Sequence, residues 1–399
     1  MKIVILLGDG MSDIAYNELG NKSPLQYAAT PNMDFMAQNG QCGLAYTVPT
    51  GLPPGSDVAN LSVFGYDPRT CYTGRSPLEA ISMGVVLGPD DVAFRMNLVT
   101  LKPQGSSIYM QDFSAGHIST GEARELVETL QNELGSTEVE FYPGVGYRHL
   151  MVWRGGRDGM RTTPPHDITG KAILDSLPHG DGADMLNNLM NHAQMVLHNH
   201  PVNVRRKEQD HLPANSIWLW GHGKTPRIET YQEKFGLSGA VISAVDLIKG
   251  IGICAGLDVI NVAGATGYID TNYLGKGQAA LAALEDHDFV YVHVEAPDEA
   301  SHEGIMQHKL QAITDFDRDV VGTVLDGIKK FDNYAVLCMP DHPTPVKLMT
   351  HTSDPVPFII YRGVAGEGNG ATAYDEFQAK STGLVTEGHL LLLKMLSIQ

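Results

Sequence analysis

The chain has 399 residues, 43% of them hydrophobic and 19% charged, and a formal net charge of −18. Its length suits two domains or one large domain carrying an insertion, and so negative a chain repels nucleic acid and anionic membranes at long range. A small anionic substrate stays admissible where Arg and Lys cluster locally. The four cysteines (Cys42, Cys71, Cys254, Cys338) lack C-x-x-C spacing and read as free thiols in a reducing compartment. Lys2 is followed by only five apolar residues before Gly8-Asp9, too few for a secretory core. No apolar stretch approaches the roughly 18 residues of a membrane span. A cytoplasmic location is therefore expected.

In chain order, residues 2–7 read as a buried strand and residues 24–39 as a helix whose main part starts at Thr30-Pro31. The turn-rich loop 47–57 then runs into Val58-Ala59-Asn60-Leu61-Ser62, which places Ser56 or Asp57 at a helix N-terminus. Residues 92–100 and 107–110 read as antiparallel strands joined by a Lys102–Gly105 turn, 119–134 as an amphipathic helix, and 138–142 and 148–154 as further strands. The polar stretch 198–215 reads as a return linker. From Ser216 the strand–helix alternation resumes, with strands expected at 216–220, 239–242, 258–263, 288–294, 334–339 and 357–361. The glycine-rich segment 363–371 reads as a surface loop. The pattern predicts one α/β core domain, residues 1–60 and 210–399, interrupted by an inserted α+β cap, residues 61–209.

Several candidate ligands follow apolar runs that read as buried strands. Asp9 follows Lys2–Leu7; Asp298 and His302 follow Phe289–Val294; Asp341-His342 follows Ala335–Met339, inside the proline-rich turn 339–345; His351 comes later. In an open parallel sheet, ligands bind outside the carboxyl ends of the strands. Asp298-x-x-x-His302 places both side chains on one helical face if Pro297 opens a helix. Taken singly, each feature has an ordinary explanation: a solvated helix face, a polar turn, a surface histidine. Taken together, hard carboxylates and imidazoles at the strand ends of one fold suit a pair of divalent cations and phosphoryl chemistry. Ser56 is the candidate nucleophile. Its weakly acidic hydroxyl needs activation, which a bound cation supplies, and the N–H groups of a helix start favour phosphate.

The segments Gly8–Met11, Pro53–Asn60, Tyr72–Ala80, Phe113–His117, Tyr147–Leu150, Thr163–Asp167 and Pro340–Pro345 resemble the archaeal-type cofactor-independent phosphoglycerate mutases, within the alkaline-phosphatase-like metalloenzymes. The likeness runs from the first residues to beyond His351. It implies an alkaline-phosphatase-like core with a mostly parallel sheet and helices on both faces. It also implies two divalent metal ions (Mn, Mg or Zn), with Asp298, His302 and His351 on one and Asp9, Ser56, Asp341 and His342 on the other. Ser56 would take the phosphoryl group from a phosphoglycerate and return it to the neighbouring hydroxyl, so that 3-phosphoglycerate and 2-phosphoglycerate interconvert. A closed cap would keep water from the phosphoserine.

The expected partner is a small phosphorylated metabolite. Its anionic groups point to His117 and Arg148, which fall on family motifs, then to Arg95, with Lys224 and Lys249 as candidates from near strand or helix ends. One alternative keeps the site and changes the reaction: bacterial members of this subfamily are proposed homoserine kinases, with ATP as donor. No ordinary kinase phosphate loop is present, since Trp218 takes the first-glycine position of a P-loop ending Gly223-Lys224-Thr225. A second alternative is a metal-dependent phosphatase or phosphonate hydrolase.

Overall fold

An unbroken apolar run such as Ile3–Leu7 has no side to offer to water and needs protein on both faces of its sheet. In the computed structural model, which describes residues 1–364 and 366–396, Lys2–Gly8 lies inside a sheet of eight strands among the described residues. Their order is Asp258–Ile260, Gly239–Ile242, Phe289–Val294, Lys2–Gly8, Tyr334–Met339, Val356–Tyr361, Gln41–Tyr46, Val385–Glu387. The first five run parallel. Val356–Tyr361 is antiparallel to both its neighbours, and Val385–Glu387 is parallel to Gln41–Tyr46.

Alternate residues of a strand face opposite ways, and helices cover both sides here. Val4, Leu6, Val290, Val292, Val336 and Cys338 share one buried cluster with Met33 and Met36 of helix Pro31–Asn39, Ala280 and Leu284 of helix Tyr273–Asp286, and Ala312 and Ile313 of helix Met306–Asp315. On the opposite side Phe64, which closes helix Ser56–Val63, stacks on Tyr291 at 4.0 Å, and Tyr231 lies 4.6 Å from Phe289.

The chain divides into two compact units, Met1–Tyr72 with Arg227–Gln399, and Thr73–Pro226. Both divisions fall later than the expected 60 and 210. Helix Ser56–Val63 packs on the large sheet, and strand Ser216–Gly223 is not part of that sheet at all. It pairs antiparallel with Val92–Gln104 of the second unit, from Val99↔Ser216 to Ala93↔Gly223. That second sheet also holds Ser107–Asp112, Arg148–Trp153 and Val139–Val145, all antiparallel. Helices Thr120–Leu134 and Ala183–His198 bury Leu126, Leu130, Leu186 and Leu197 with Phe94, Met96 and Leu98. Strand Val92–Gln104 takes in most of the expected turn, so the reversal comes at Gly105-Ser106, and the expected linker contains helix Pro201–Glu208. Residues 24–39 form two helices, Pro24–Tyr27 and Pro31–Asn39, because a residue preceding proline is disfavoured in helical geometry. The expected loop 363–371 includes Ala365, which lies outside the described residues. No helix among the described residues is long and apolar enough to cross a membrane.

One titration reports on the second unit alone. His149 is buried there, its Nδ1 accepts from the Gly144 N–H at 2.9 Å, and burial pushes its pKa down to about 4. An unfolded histidine titrates near pH 6.5, so protons favour the unfolded state between those values. Stability is intact above about pH 6.5 and falls as pH drops toward 4, by up to roughly 2–3 kcal/mol from this group. All three tryptophans (Trp153, Trp218, Trp220) belong to this unit. Urea unfolding followed by tryptophan fluorescence is expected to lose stability from pH 7 to 4.5 more steeply in the natural protein than in His149→Gln. Equal slopes would contradict this.

Candidate active site

Three adjacent parallel strands of the large sheet end level with one another, Gly8 pairing with Val294 and Leu7 with Met339. Asp9 and Glu295 are therefore the first residues past two of those ends, and Asp341 is the second past the third. The chain turns sharply after Asp9 through Gly10, whose φ is +63° and whose N–H donates to Asp341 Oδ1 at 3.2 Å. A Cβ at residue 10 would lie 2.6 Å from Asp298 Oδ1 and 2.7 Å from Thr344 Oγ1, so only glycine fits. Pro297 sits in the first turn of helix Ala296–His302, which stacks His302 one turn beyond Asp298. Ser56 is the first residue of helix Ser56–Val63, and Asn60 follows it by one turn. The Asn60 amide donates to Ser56 O at 2.9 Å and to Asp341 Oδ2 at 2.8 Å, while its oxygen accepts from Tyr291 OH at 2.6 Å.

All seven residues expected at a metal centre come together. Ser56 Oγ lies 3.2 Å from His342 Nε2, which is 3.3 Å from Asp341 Oδ2 and 3.7 Å from Asp9 Oδ1. The His342 and His351 rings stack at 3.9 Å. Asp298 faces His302 Nε2 at 3.1 Å and His351 Nε2 at 3.4 Å. Asp9, Asp341 and His342 are fully buried, Asp298 and Ser56 nearly so.

The hydrogen bonds on the far side of each ring fix the tautomers. His302 Nδ1 lies 3.0 Å from Met349 O and His351 Nδ1 3.0 Å from Pro54 O. A carbonyl only accepts, so in both rings Nδ1 carries the hydrogen. The Thr344 hydroxyl donates to Asp298 Oδ1 at 2.6 Å, so at 3.1 Å it accepts from His342 Nδ1. When neutral, each ring turns a bare Nε2 inward; without a cation Asp298 favours a proton on His302 Nε2, which a bound cation would displace. The Nε2 atoms of His302 and His351 are only 2.9 Å apart, and Asp9 Oδ1 is buried without a hydrogen-bond partner. Such inward lone pairs, held by outward N–H bonds, are the arrangement of metal-ligating imidazoles. Among the described residues, Asp298–His342–His351 and Asp9–Asp341–His342 each offer one ligand atom per residue within 4.8 Å of one another, as does Asp9–His293–Glu295. Carboxylate oxygens with imidazole nitrogens fit divalent Mn, Mg or Zn.

The charges are unbalanced by protein alone. Burial raises the Asp9 carboxyl well above its usual range, and Asp341, Glu295 and Asp298 raise it further. Burial, with Asp298 and Glu299, lifts Glu295 to about 8. Burial opposes ionisation of Asp298, yet hydrogen bonds from His302 and His351 outweigh it and hold this group well below the usual carboxylate range. Burial likewise disfavours a charged His302, but Asp298 raises that ring to about 9. His342 is pushed down, chiefly by its burial.

A buried ion pair ties the loops together. Lys309 Nζ donates to Asp13 Oδ2 at 2.8 Å and to Thr344 O at 2.9 Å, and the Val346 N–H donates to Asp13 Oδ2 at 3.1 Å. The loop after Asp9 is thereby fastened to the loop after His342.

The second unit carries a separate positive group. Arg95 Nε lies 3.3 Å and Arg75 Nε 2.8 Å from the Glu79 carboxylate, and the Arg95 guanidinium stacks 4.5 Å over Trp220. Asn97 pairs with Arg148 and Arg95 with Trp220 across adjacent strands, so these side chains share one face of the sheet. Burial lowers Arg95 to about 10 despite Glu79, and Arg75 and Arg148 add to that push. His117 and Arg148 are exposed, and Arg148 lies 5.7 Å over the Tyr147 ring. Ala115, Gly116 and His117 all have positive φ, between 50° and 65°. Asp112 holds this strained turn by accepting from Gly116 N, Ser114 Oγ accepts from His117 N, and the buried Arg206 donates to Ala115 O at 2.7 Å. Lys224 lies 4.0 Å from Asp90 and 3.9 Å from Asp158, and Lys249, in the first unit, 3.9 Å from Asp246.

Sequence reasoning missed Asn60, Thr344, Lys309, His293 and Glu295 around the metal centre, and Arg75 and Glu79 in the second unit. Spacing could have found three of them: Asn60 is one helical turn from Ser56, and His293 and Glu295 flank Val294 at a strand end. Replacing Gly10 by Ala is expected to weaken Mn²⁺ binding at least tenfold, read by calorimetric titration, and to cost at least about 1–2 kcal/mol for the left-handed φ alone. Unchanged affinity would contradict the close packing around residue 10.

Residues 37–203 match the family described as 2,3-bisphosphoglycerate-independent phosphoglycerate mutase. Among similar proteins, one of Geobacter sulfurreducens named as a probable 2,3-bisphosphoglycerate-independent phosphoglycerate mutase is 63% identical over 99% of both chains. A solved Pyrococcus horikoshii protein is 30% identical with a TM-score of 0.84, covering 99% of this chain and 96% of its own. The solved cofactor-independent phosphoglycerate mutase of Thermoplasma acidophilum is 28% identical with a TM-score of 0.68, covering 100% and 99%.

Proposed function

Since this chain belongs to the 2,3-bisphosphoglycerate-independent phosphoglycerate mutase family, we propose that it interconverts 3-phosphoglycerate and 2-phosphoglycerate with Ser56 as the phosphoryl acceptor. The observation that carries this reading is the convergence of the Nε2 atoms of His302, His342 and His351 with three buried aspartates, Ser56 Oγ lying 3.2 Å from His342 Nε2. Asp298, His302 and His351 would hold one divalent cation, and Asp9, Ser56, Asp341 and His342 a second. Bound there, such cations supply Lewis acidity that favours the alkoxide of serine at neutral pH and offsets charge on phosphate oxygens.

The chain's own groups do the rest. Asn60 grips both Ser56 O and Asp341 and so fixes the Ser56 backbone relative to Asp341. Helix Ser56–Val63 presents its first N–H groups, which favour an anionic phosphate beside Ser56. In the transfer, the phosphoester P–O bond of the substrate breaks as the Oγ–P bond forms. The proton that leaves Ser56 Oγ ends on the freed glycerate oxygen; the neighbouring hydroxyl then loses its proton as it attacks phosphorus, the Oγ–P bond breaks, and that proton returns to Ser56 Oγ. Arg95, Arg148 and His117 are assigned to recognition of the substrate's anionic groups, supported by three guanidiniums gathered around the single carboxylate of Glu79. Lys224 and Lys249 are further candidates, each 3.9–4.0 Å from aspartates. The names borne by the relatives support the mutase over ATP-dependent phosphorylation of homoserine on the same site, and over net hydrolysis of a phosphate or phosphonate. A cytoplasmic setting accords with the free thiols of all four cysteines.

Ser56→Ala is expected to lower mutase turnover by roughly four orders of magnitude or more with an unchanged circular dichroism spectrum; a variant that still turns over would remove Ser56 from the mechanism. Chelation is expected to abolish activity and Mn²⁺ to restore it. Assayed side by side, the protein is expected to isomerise 3-phosphoglycerate and leave homoserine unphosphorylated with ATP; the opposite result would assign the kinase. Arg148→Met is expected to raise KM about tenfold or more, the value of one charge-assisted hydrogen bond. An unaltered KM would place recognition elsewhere.

A further inference from the structure

The second unit holds a cavity of about 220 Å³ that no step of the proposed reaction uses. Leu101, Met190, Ile217 and Trp218 line it, all four buried. Its walls are held by bonds that need no occupant. The Trp218 indole N–H donates to Thr163 O at 2.8 Å, the Ile173 N–H to Ile108 O at 3.0 Å, and the Asn187 amide to Pro178 O at 3.0 Å. Helix Ala183–His198, which supplies one wall, is anchored in the core of this unit through Leu186 and Leu197. The cavity is therefore formed before anything enters it, and entry costs little reorganisation.

The lining defines the occupant. It contains no Asp, Glu, Lys, Arg or His, so a charged molecule would give up its hydration and gain no counter-charge. Water is poorly held against the apolar part, where it finds too few polar partners. An engineered apolar cavity of about 150 Å³ admits benzene, so this volume suits one ring or two fused rings. Trp218 offers an aromatic surface and Met190 a thioether, and both favour contact with an aromatic ring. Asn191 and Gln194, three residues apart on the helix, also line the cavity, and their amides have no hydrogen-bond partner among the described residues. Leu174, another lining residue, is 75% exposed, and an occupant would cover its apolar surface. We infer that this cavity binds an uncharged aromatic molecule of one or two rings with one hydrogen-bonding group, its rings against Trp218 and Met190 and its polar group toward Asn191 or Gln194. The site lies wholly within the second unit and is independent of the phosphoryl-transfer reading.

Indole is the probe, added to the full chain with ¹⁵N in its tryptophan side chains. Only three indole N–H signals exist, those of Trp153, Trp218 and Trp220, and Trp218→Phe identifies the one that matters. The Trp218 signal is expected to move saturably, with a Kd of about 1 mM or tighter, while that of Trp153, which is not in the lining, stays in place. Indole-2-carboxylate has the same rings and a charge, and is expected to bind at least about tenfold more weakly. Replacing both amides, Asn191→Leu with Gln194→Leu, is expected to weaken indole about fivefold, the value of one hydrogen bond. No saturable shift, an equal response of all three tryptophans, a carboxylate that binds as tightly as indole, or a double variant with unchanged affinity would each overturn the inference.

Discussion

The structure depends on one electrostatic constraint: more carboxylates meet in one buried place than the protein's own positive groups offset. Asp9, Asp298 and Asp341 lie out of water, and the three imidazoles beside them turn Nε2 toward the same space because their other nitrogens are committed elsewhere. A charge desolvated in this way is tolerated when a counter-charge is close and ordered. Divalent cations meet that condition and at the same time make a serine hydroxyl reactive. Much of the surrounding architecture holds this unfavourable cluster in place. Met349 adopts a φ of +54° at the carbonyl that binds His302, Gly10 removes the side chain that would strike Asp298, and Lys309 clamps two loops through Asp13.

The two units offer different chemistries. The parallel sheet of the first supplies strand ends that lie level, so side chains far apart in sequence become neighbours without long loops. The antiparallel sheet of the second spreads Arg95, Asn97, Arg148 and Trp220 over one face, where stacking and a single carboxylate order the guanidiniums. Strain at Ala115 and His117, held by Asp112 and Arg206, keeps an exposed imidazole on a rigid turn.

The metal-type ligands were legible in the sequence because each cluster announces itself locally: an apolar run, then Asp, or Asp with His one turn away. Strand 216–223 was not assigned correctly, since an apolar run states that it is buried but not which sheet buries it. Only its pairing with Val92–Gln104 decides that. Thr344 and Lys309 carried no signal, because a threonine in a proline-rich turn and a lysine in a helix are ordinary until the fold brings them to Asp298 and Asp13. His293 was hidden for a related reason: within Phe289–Val294 it reads as one polar interruption of a buried strand, and its meaning comes from Asp9 on the adjacent strand.

The most direct measurement is a crystallographic anomalous-difference map of the Mn²⁺-loaded protein. The account predicts an ion between Asp298, His302 and His351 and another within bonding distance of Ser56 Oγ, Asp9, Asp341 and His342. Ions bound elsewhere, or a Ser56 hydroxyl remote from any of them, would contradict it.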